Sequence, residues 1–149
     1  MPDQIHKNQM NMKRNLAFLL FFAFMACKKE NTPTLSLDEK VDKTKSVETA
    51  KGNFSNGPYG TASGQAKIYT VGTATQLALE NFSSSNGPDL KVYLSKEKDP
   101  VNFINLGDLK ATSGNQLYDI PNNIKTTDYK YVLIHCKRFN HLFGFAEIN

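Results

Sequence analysis

From Gly52 to Asn149 the sequence breaks into short runs of β-branched and aromatic residues separated by Gly, Pro, Asn and Ser. No run has both the length and the period of a helix. Gln65 to Val71, Thr75 to Phe82, Leu90 to Ser95, Gln116 to Ile120, Tyr129 to Cys136 and Leu142 to Ile148 each have strand length. Asn86-Gly87-Pro88, Ser113-Gly114-Asn115 and Pro121-Asn122-Asn123 are turn signals between them. A chain punctuated in this way buries its apolar side chains by pairing strands. Residues 52–149 are therefore expected to form one all-β domain, a small antiparallel β-sandwich or barrel-like fold, large enough for a core without an obligatory metal or disulfide.

The last two runs carry the most information. Along Tyr129 to Cys136, Val132, Ile134 and Cys136 share one face and Tyr131, Leu133 and His135 the other. Both faces are largely apolar, which predicts a central strand ending at Cys136. Its expected partner is Leu142 to Ile148, with Leu142, Gly144, Ala146 and Ile148 on one face and Phe143, Phe145 and Glu147 on the other. Residues 137–141 would then form a hairpin loop beside the thiol. Most aromatic residues are expected in the core; Phe139, in that loop, is the one expected to be exposed.

The N-terminal part has a different character. Lys13 and Arg14 precede an apolar run from Leu16 to Ala26, long enough for a secretory signal and too short to span a bilayer as a helix. The run ends Phe24-Met25-Ala26-Cys27, which resembles the lipobox of bacterial lipoproteins and makes Cys27 the candidate lipidation site. Residues 1–26 are read as a signal peptide, with Met12 as an alternative start. Residues 27–51, rich in Lys, Asp, Glu, Thr and Ser without an apolar period, are read as a disordered linker. The expected location is outside the cytoplasmic membrane, lipid-anchored, with the outer membrane favoured and the domain facing the periplasm or cell surface.

Charge points away from nucleic acid. The full chain has 18 basic and 14 acidic residues. Loss of residues 1–26 would remove Lys7, Lys13, Arg14 and Asp3, lowering the net charge from +4 to +2, and the remaining lysines are spread rather than clustered.

With Cys27 assigned to lipid, Cys136 has no disulfide partner among the two cysteines of the chain. A lone thiol in an oxidising compartment is either sealed as a small hydrophobe or kept for chemistry. Lys137, Arg138 and His141 follow it closely enough for a cation to support a thiolate, whereas His135 belongs to the opposite strand face. His135, Cys136 and His141 are also weak copper candidates. Cys136 and His141 stand in a Cys-x4-His arrangement similar to a blue-copper ligand loop, but no histidine lies between His6 and His135 and no methionine follows Met25. Catalytic Cys-His pairing lacks an identifiable orienting acid, and there is no CxxC pair, phosphate loop or zinc spacing. Asp89 reads as a turn residue.

Several segments occur in an order that resembles the DM-thirteen domain. They are Gly52-Asn53-Phe54, Gly60-Thr61-Ala62-Ser63-Gly64, Leu79-Glu80-Asn81-Phe82, Gly87-Pro88-Asp89-Leu90-Lys91-Val92-Tyr93-Leu94-Ser95, Leu106-Gly107-Asp108-Leu109-Lys110, Gly114 through Pro121, Val132 through Cys136, and Phe143-Gly144-Phe145-Ala146. The resemblance implies a compact all-β extracytoplasmic module with an electron-transfer role, in which the cysteine matching Cys136 takes part in a redox reaction. Where the family commonly has Trp before that cysteine, this chain has His135. The expected function is a lipid-anchored module with a redox role centred on one thiol, not a classical enzyme, with no cofactor of its own. Copper and a partner haem are the weak alternatives, and the expected partners are the membrane and a redox protein. The competing expectation is a ligand-binding or adhesion sandwich with a structural cysteine.

Overall fold

The computed structural model describes residues 36–149. It contains nine strands, β1 (Ser36–Asp38), β2 (Ser46–Asn56), β3 (Ala62–Val71), β4 (Ala74–Ser84), β5 (Leu90–Ser95), β6 (Phe103–Asp108), β7 (Ser113–Ile120), β8 (Tyr131–Cys136) and β9 (His141–Glu147), and one 3-10 turn at Thr126–Asp128. The strands hydrogen-bond in the order β1-β7-β4-β3-β2-β9-β8-β5-β6. All pairings are antiparallel except β1 with β7, so the sheet is mixed.

Strand β2 turns the sheet on itself. Its residues from Ser46 to Asn53 pair with β3, and Phe54 to Asn56 pair with β9, so one strand belongs to both halves. The halves close on a shared core. Ala66, Ile68, Leu77, Leu79 and Phe82 enter from one side and Val92, Leu94, Val132, Ile134 and Ala146 from the other, with Phe54 and Phe82 meeting edge to face at 5.1 Å. Each fully buried Val, Leu or Ile side chain stabilises the closure by about 1.5–3 kcal/mol. The all-β expectation therefore holds, and the curled sheet combines sandwich and barrel character.

Three expectations are corrected. Residues 36–51 are not solvated linker: β1 pairs with β7, Val41 packs on Tyr69 and Ala78, and β2 is already paired with β3 from Ser46. Polar composition concealed this segment, because β2 is held mainly through its backbone while Val47 stays 66% exposed. Residues 1–26 and 27–35 lie outside the described residues. Ser113-Gly114-Asn115 is not a turn but the start of β7. There Gly114, at φ +100°, lies against the backbone of Leu37, leaving no room for a side chain. Finally, the two faces of β9 are not those of strict alternation. A register shift opposite Ile134 and His135 makes Phe143 the extra residue, placing Phe143 in the main core and Leu142 on the outer face with Leu133 and Tyr93.

Two buried polar side chains outside the site, Gln116 and Tyr118, are braced locally. The Gln116 side chain bonds both the N–H and the carbonyl of Ala111, and the Tyr118 hydroxyl donates to Gln116 Oε1 at 2.9 Å while accepting from the Lys110 N–H at 3.0 Å. Burial pushes the Tyr118 hydroxyl pKa upward.

Candidate functional site

Strand β8 lies between β9 and β5, and Cys136 is its last residue. Opposite it stand His141 on β9 and Leu90 on β5. The side chain faces the main core beside Val132 and Ile134 and is 0% exposed, as the strand periodicity predicts. Its sulfur donates a hydrogen bond to the carbonyl of Pro88 at 3.4 Å. Among the described residues it is a free thiol.

The segment Asn86–Asp89, termed the cover, carries the carbonyl that meets the sulfur. Asn86 Oδ1 accepts from the Gly87 N–H at 2.9 Å, shaping the turn. Gly87 lies against the Phe143 ring so closely that a Cβ would sit 2.8 Å from Cζ. Asp89 adopts φ +81°, its carbonyl accepts from the Lys137 N–H at 3.0 Å, and its carboxylate pairs with Lys91 at 2.6 Å. Lys91 also pairs with Asp108 on β6. Burial would lower the Lys91 pKa, but these two carboxylates reverse that and hold it above its ordinary value. Asp89 is thus both a turn residue and an anchor that ties the cover to β8. The segments 87–95 and 132–136, distant in sequence, meet here.

The other candidates divide between two surfaces. Lys137 and Arg138 are exposed at the β8–β9 hairpin, with the Arg138 guanidinium 5.7 Å from the centre of the Phe139 ring. Phe139 is 55% exposed, as expected. His141 is half-buried and stacks on Tyr59, centroids 3.7 Å apart with planes at 1°. Tyr59 was not singled out by sequence reasoning. Its N–H donates to the Leu142 carbonyl at 3.3 Å, a backbone contact with no side-chain signature.

His135 faces away from Cys136, on the outer face of the β5–β8–β9 layer, stacked on Tyr93 at 5.4 Å. It is 4% exposed and its Nδ1 has no hydrogen-bond partner. Burial lowers its pKa by disfavouring the imidazolium; an interaction with Asn140 opposes this and the charge of His141 adds to it. Tyr93 also stacks on Phe103 at 4.2 Å, and burial raises its pKa. His135, Cys136 and His141 do not converge, and among the described residues no group of three His, Cys, Asp or Glu side chains is placed to hold a metal. Cys27 lies outside the described residues.

A concavity of about 430 Å³ lies under residues 39–43 against β4 and β7. Its polar groups are satisfied within the protein. Glu39 holds Lys110 and the Leu117 N–H, Asn115 holds the Asn81 N–H and Asp38, and Glu80 holds Lys67 at 2.8 Å and the Tyr69 hydroxyl at 3.0 Å. Burial and the Glu80 contact push the Tyr69 pKa up to about 12. Burial would raise the Glu80 pKa, but Lys67 and Tyr69 override it and hold it below its usual range.

No curated protein and no solved structure matches the chain. The family model described as electron transfer DM13 matches residues 53–148, from the end of β2 through β9, and supports a redox or electron-transfer role. The chain belongs to the electron transfer DM13 family.

Proposed function

We propose that this chain is an extracytoplasmic electron-transfer module, tethered through lipid on Cys27, whose redox group is Cys136. The observation that supports the reading is the 3.4 Å contact between Cys136 and Pro88, which ties the free thiol of the described residues to the segment Asn86–Asp89. That cover is fastened by a few identifiable contacts, the Asp89–Lys137 backbone bond and the Asp89–Lys91 ion pair. Local opening of such a segment requires less free energy than unfolding the domain.

The chemistry that fits a single thiol is exchange with a disulfide on a partner protein. With the cover open, Cys136 releases its proton to solvent and its sulfur attacks one sulfur of the partner disulfide. A Cys136–partner S–S bond forms, the partner S–S bond breaks, and the departing sulfur takes up a proton. One sulfur of a reducing dithiol then attacks the partner sulfur of the mixed disulfide and restores Cys136 as a thiol. The dithiol's second sulfur displaces that partner sulfur and closes the reductant's own disulfide, so both partner sulfurs leave as thiols and two electrons pass from the dithiol to the partner disulfide.

Complete burial of Cys136 favours a second reading, a ligand-binding domain with a structural cysteine. Reaction of the folded protein with a neutral disulfide such as dipyridyl disulfide separates the two. Modification of Cys136 below the global unfolding transition supports the redox module; modification that awaits global unfolding supports the structural cysteine. The tether is tested separately with Cys27→Ala, which should move the protein from the membrane to the soluble fraction.

A further inference from the structure

We infer that the tip of the β8–β9 hairpin, together with Tyr59, is a docking surface for an acidic polypeptide that carries the disulfide exchanging with Cys136; the inference rests on the redox reading of that thiol. Tyr59 and Phe139 are 58% and 55% exposed, and both contact the same histidine: His141 is 3.7 Å from the Tyr59 ring centre and 6.0 Å from that of Phe139. Exposed large hydrophobic residues are few among the described residues, and here two of them gather at one strand end. Lys137 and Arg138 border the patch and are exposed. Aromatic rings with arginine, rimmed by cations, form the composition of a binding hot spot for an acidic partner.

The chemistry selects a polypeptide over a membrane surface. Stable attraction to anionic lipid draws on clusters of about four to eight basic side chains, and this tip presents Lys137 and Arg138. Its Tyr59 ring lies flat on His141, with planes at 1°, and offers a face to a partner side chain. The surface is also joined to the cover of the thiol, since the Lys137 N–H holds the Asp89 carbonyl at 3.0 Å. A partner seated on Lys137 and Phe139 pulls on the same backbone bond that keeps Pro88 over the sulfur. Docking and access to Cys136 are thereby linked.

The test uses two short fluorescent peptides, each with one cysteine activated as a pyridyl disulfide, flanked by Glu and Phe in one and by Lys and Phe in the other. With the full chain at low ionic strength, the acidic peptide should release pyridinethione about tenfold faster than the basic one, and that advantage should collapse at about 0.5 M salt. The double variant Lys137→Gln, Arg138→Gln should abolish the charge preference, and Phe139→Ser should slow the acidic peptide several-fold. Equal rates for the two peptides, or a preference untouched by these substitutions, would overturn the docking surface. So would binding of anionic phosphatidylglycerol vesicles through the same residues without any preference for the acidic peptide. Carbamidomethylated peptides, followed by fluorescence anisotropy, read docking without exchange. Charge-selective docking with no reaction at Cys136, even toward dipyridyl disulfide, therefore leaves the surface standing and removes the redox reading. Reaction without charge selectivity does the reverse.

Discussion

The sulfur of Cys136 donates a hydrogen bond to the backbone carbonyl of Pro88, a residue 48 positions earlier in the chain, and the thiol is fully buried. On the proposed redox reading, access to Cys136 depends on how firmly Asn86–Asp89 is held.

Gly87→Ala tests the cover. The added Cβ would meet the Phe143 ring at 2.8 Å and a Leu90 methyl at 3.2 Å, so either the ring or the segment must move. The expected result is a loss of about 1–3 kcal/mol in chemical denaturation and faster native-state modification of Cys136. Loss of stability with an unchanged modification rate would show that the segment does not control access.

His135 should impose a pH dependence on stability. Its pKa is lower in the folded protein than in the unfolded chain, because burial disfavours the charged ring. Below about pH 6.5 the unfolded chain takes up a proton that the folded protein resists, so stability falls as pH drops from there toward the folded pKa. His135→Phe keeps a ring against Tyr93 and removes the unpartnered Nδ1. Urea midpoints at pH 7 and pH 5 should differ less in this variant than in the parent; an equal difference would assign the pH dependence to other groups.

The N-terminal strap, β1 and the following residues 39–43, should detach before the domain unfolds. Val41 is its buried apolar residue, packed on Tyr69 and Ala78, while Glu39 accepts from the Leu117 N–H at 2.8 Å. Val41→Ser should speed amide exchange at Leu37 and Glu39, and leave exchange at Ile134 nearly unchanged. Uniform acceleration across both regions would make the strap part of the global folding unit.

Copper addition should produce no intense thiolate-to-copper absorption in the folded protein, because Cys136 and His135 face opposite sides of β8 and His141 is stacked on Tyr59. Appearance of such a band at one equivalent of Cu(II) would contradict this geometry.

The strand that bears the thiol was legible in the sequence because both its faces are apolar and alternate cleanly, from Val132 to Cys136, and because the hairpin loop is polar. The first two strands were not. Val47 is exposed and β2 is stabilised by backbone pairing on both edges, which leaves little periodic signal in side chains. The swap of Leu142 and Phe143 was hidden for another reason: a bulge inserts one residue, and neither side chain marks it, since both are apolar and fit either face. At the site, Cys136, Arg138, Phe139 and His141 could be listed from sequence. Their separation into a sealed thiol and an exposed aromatic tip, and the parts played by Pro88 and Tyr59, depend on backbone contacts between distant segments.

The central claim concerns opening at Cys136. Its most direct measurement is the rate of Cys136 modification by dipyridyl disulfide at increasing sub-denaturing urea, compared with global unfolding under the same conditions. Opening of Asn86–Asp89 predicts a native-state modification rate well above that allowed by global unfolding, with a much shallower dependence on urea, because little surface is exposed. Modification whose free energy and urea dependence coincide with those of global unfolding would contradict the account and leave Cys136 a structural residue.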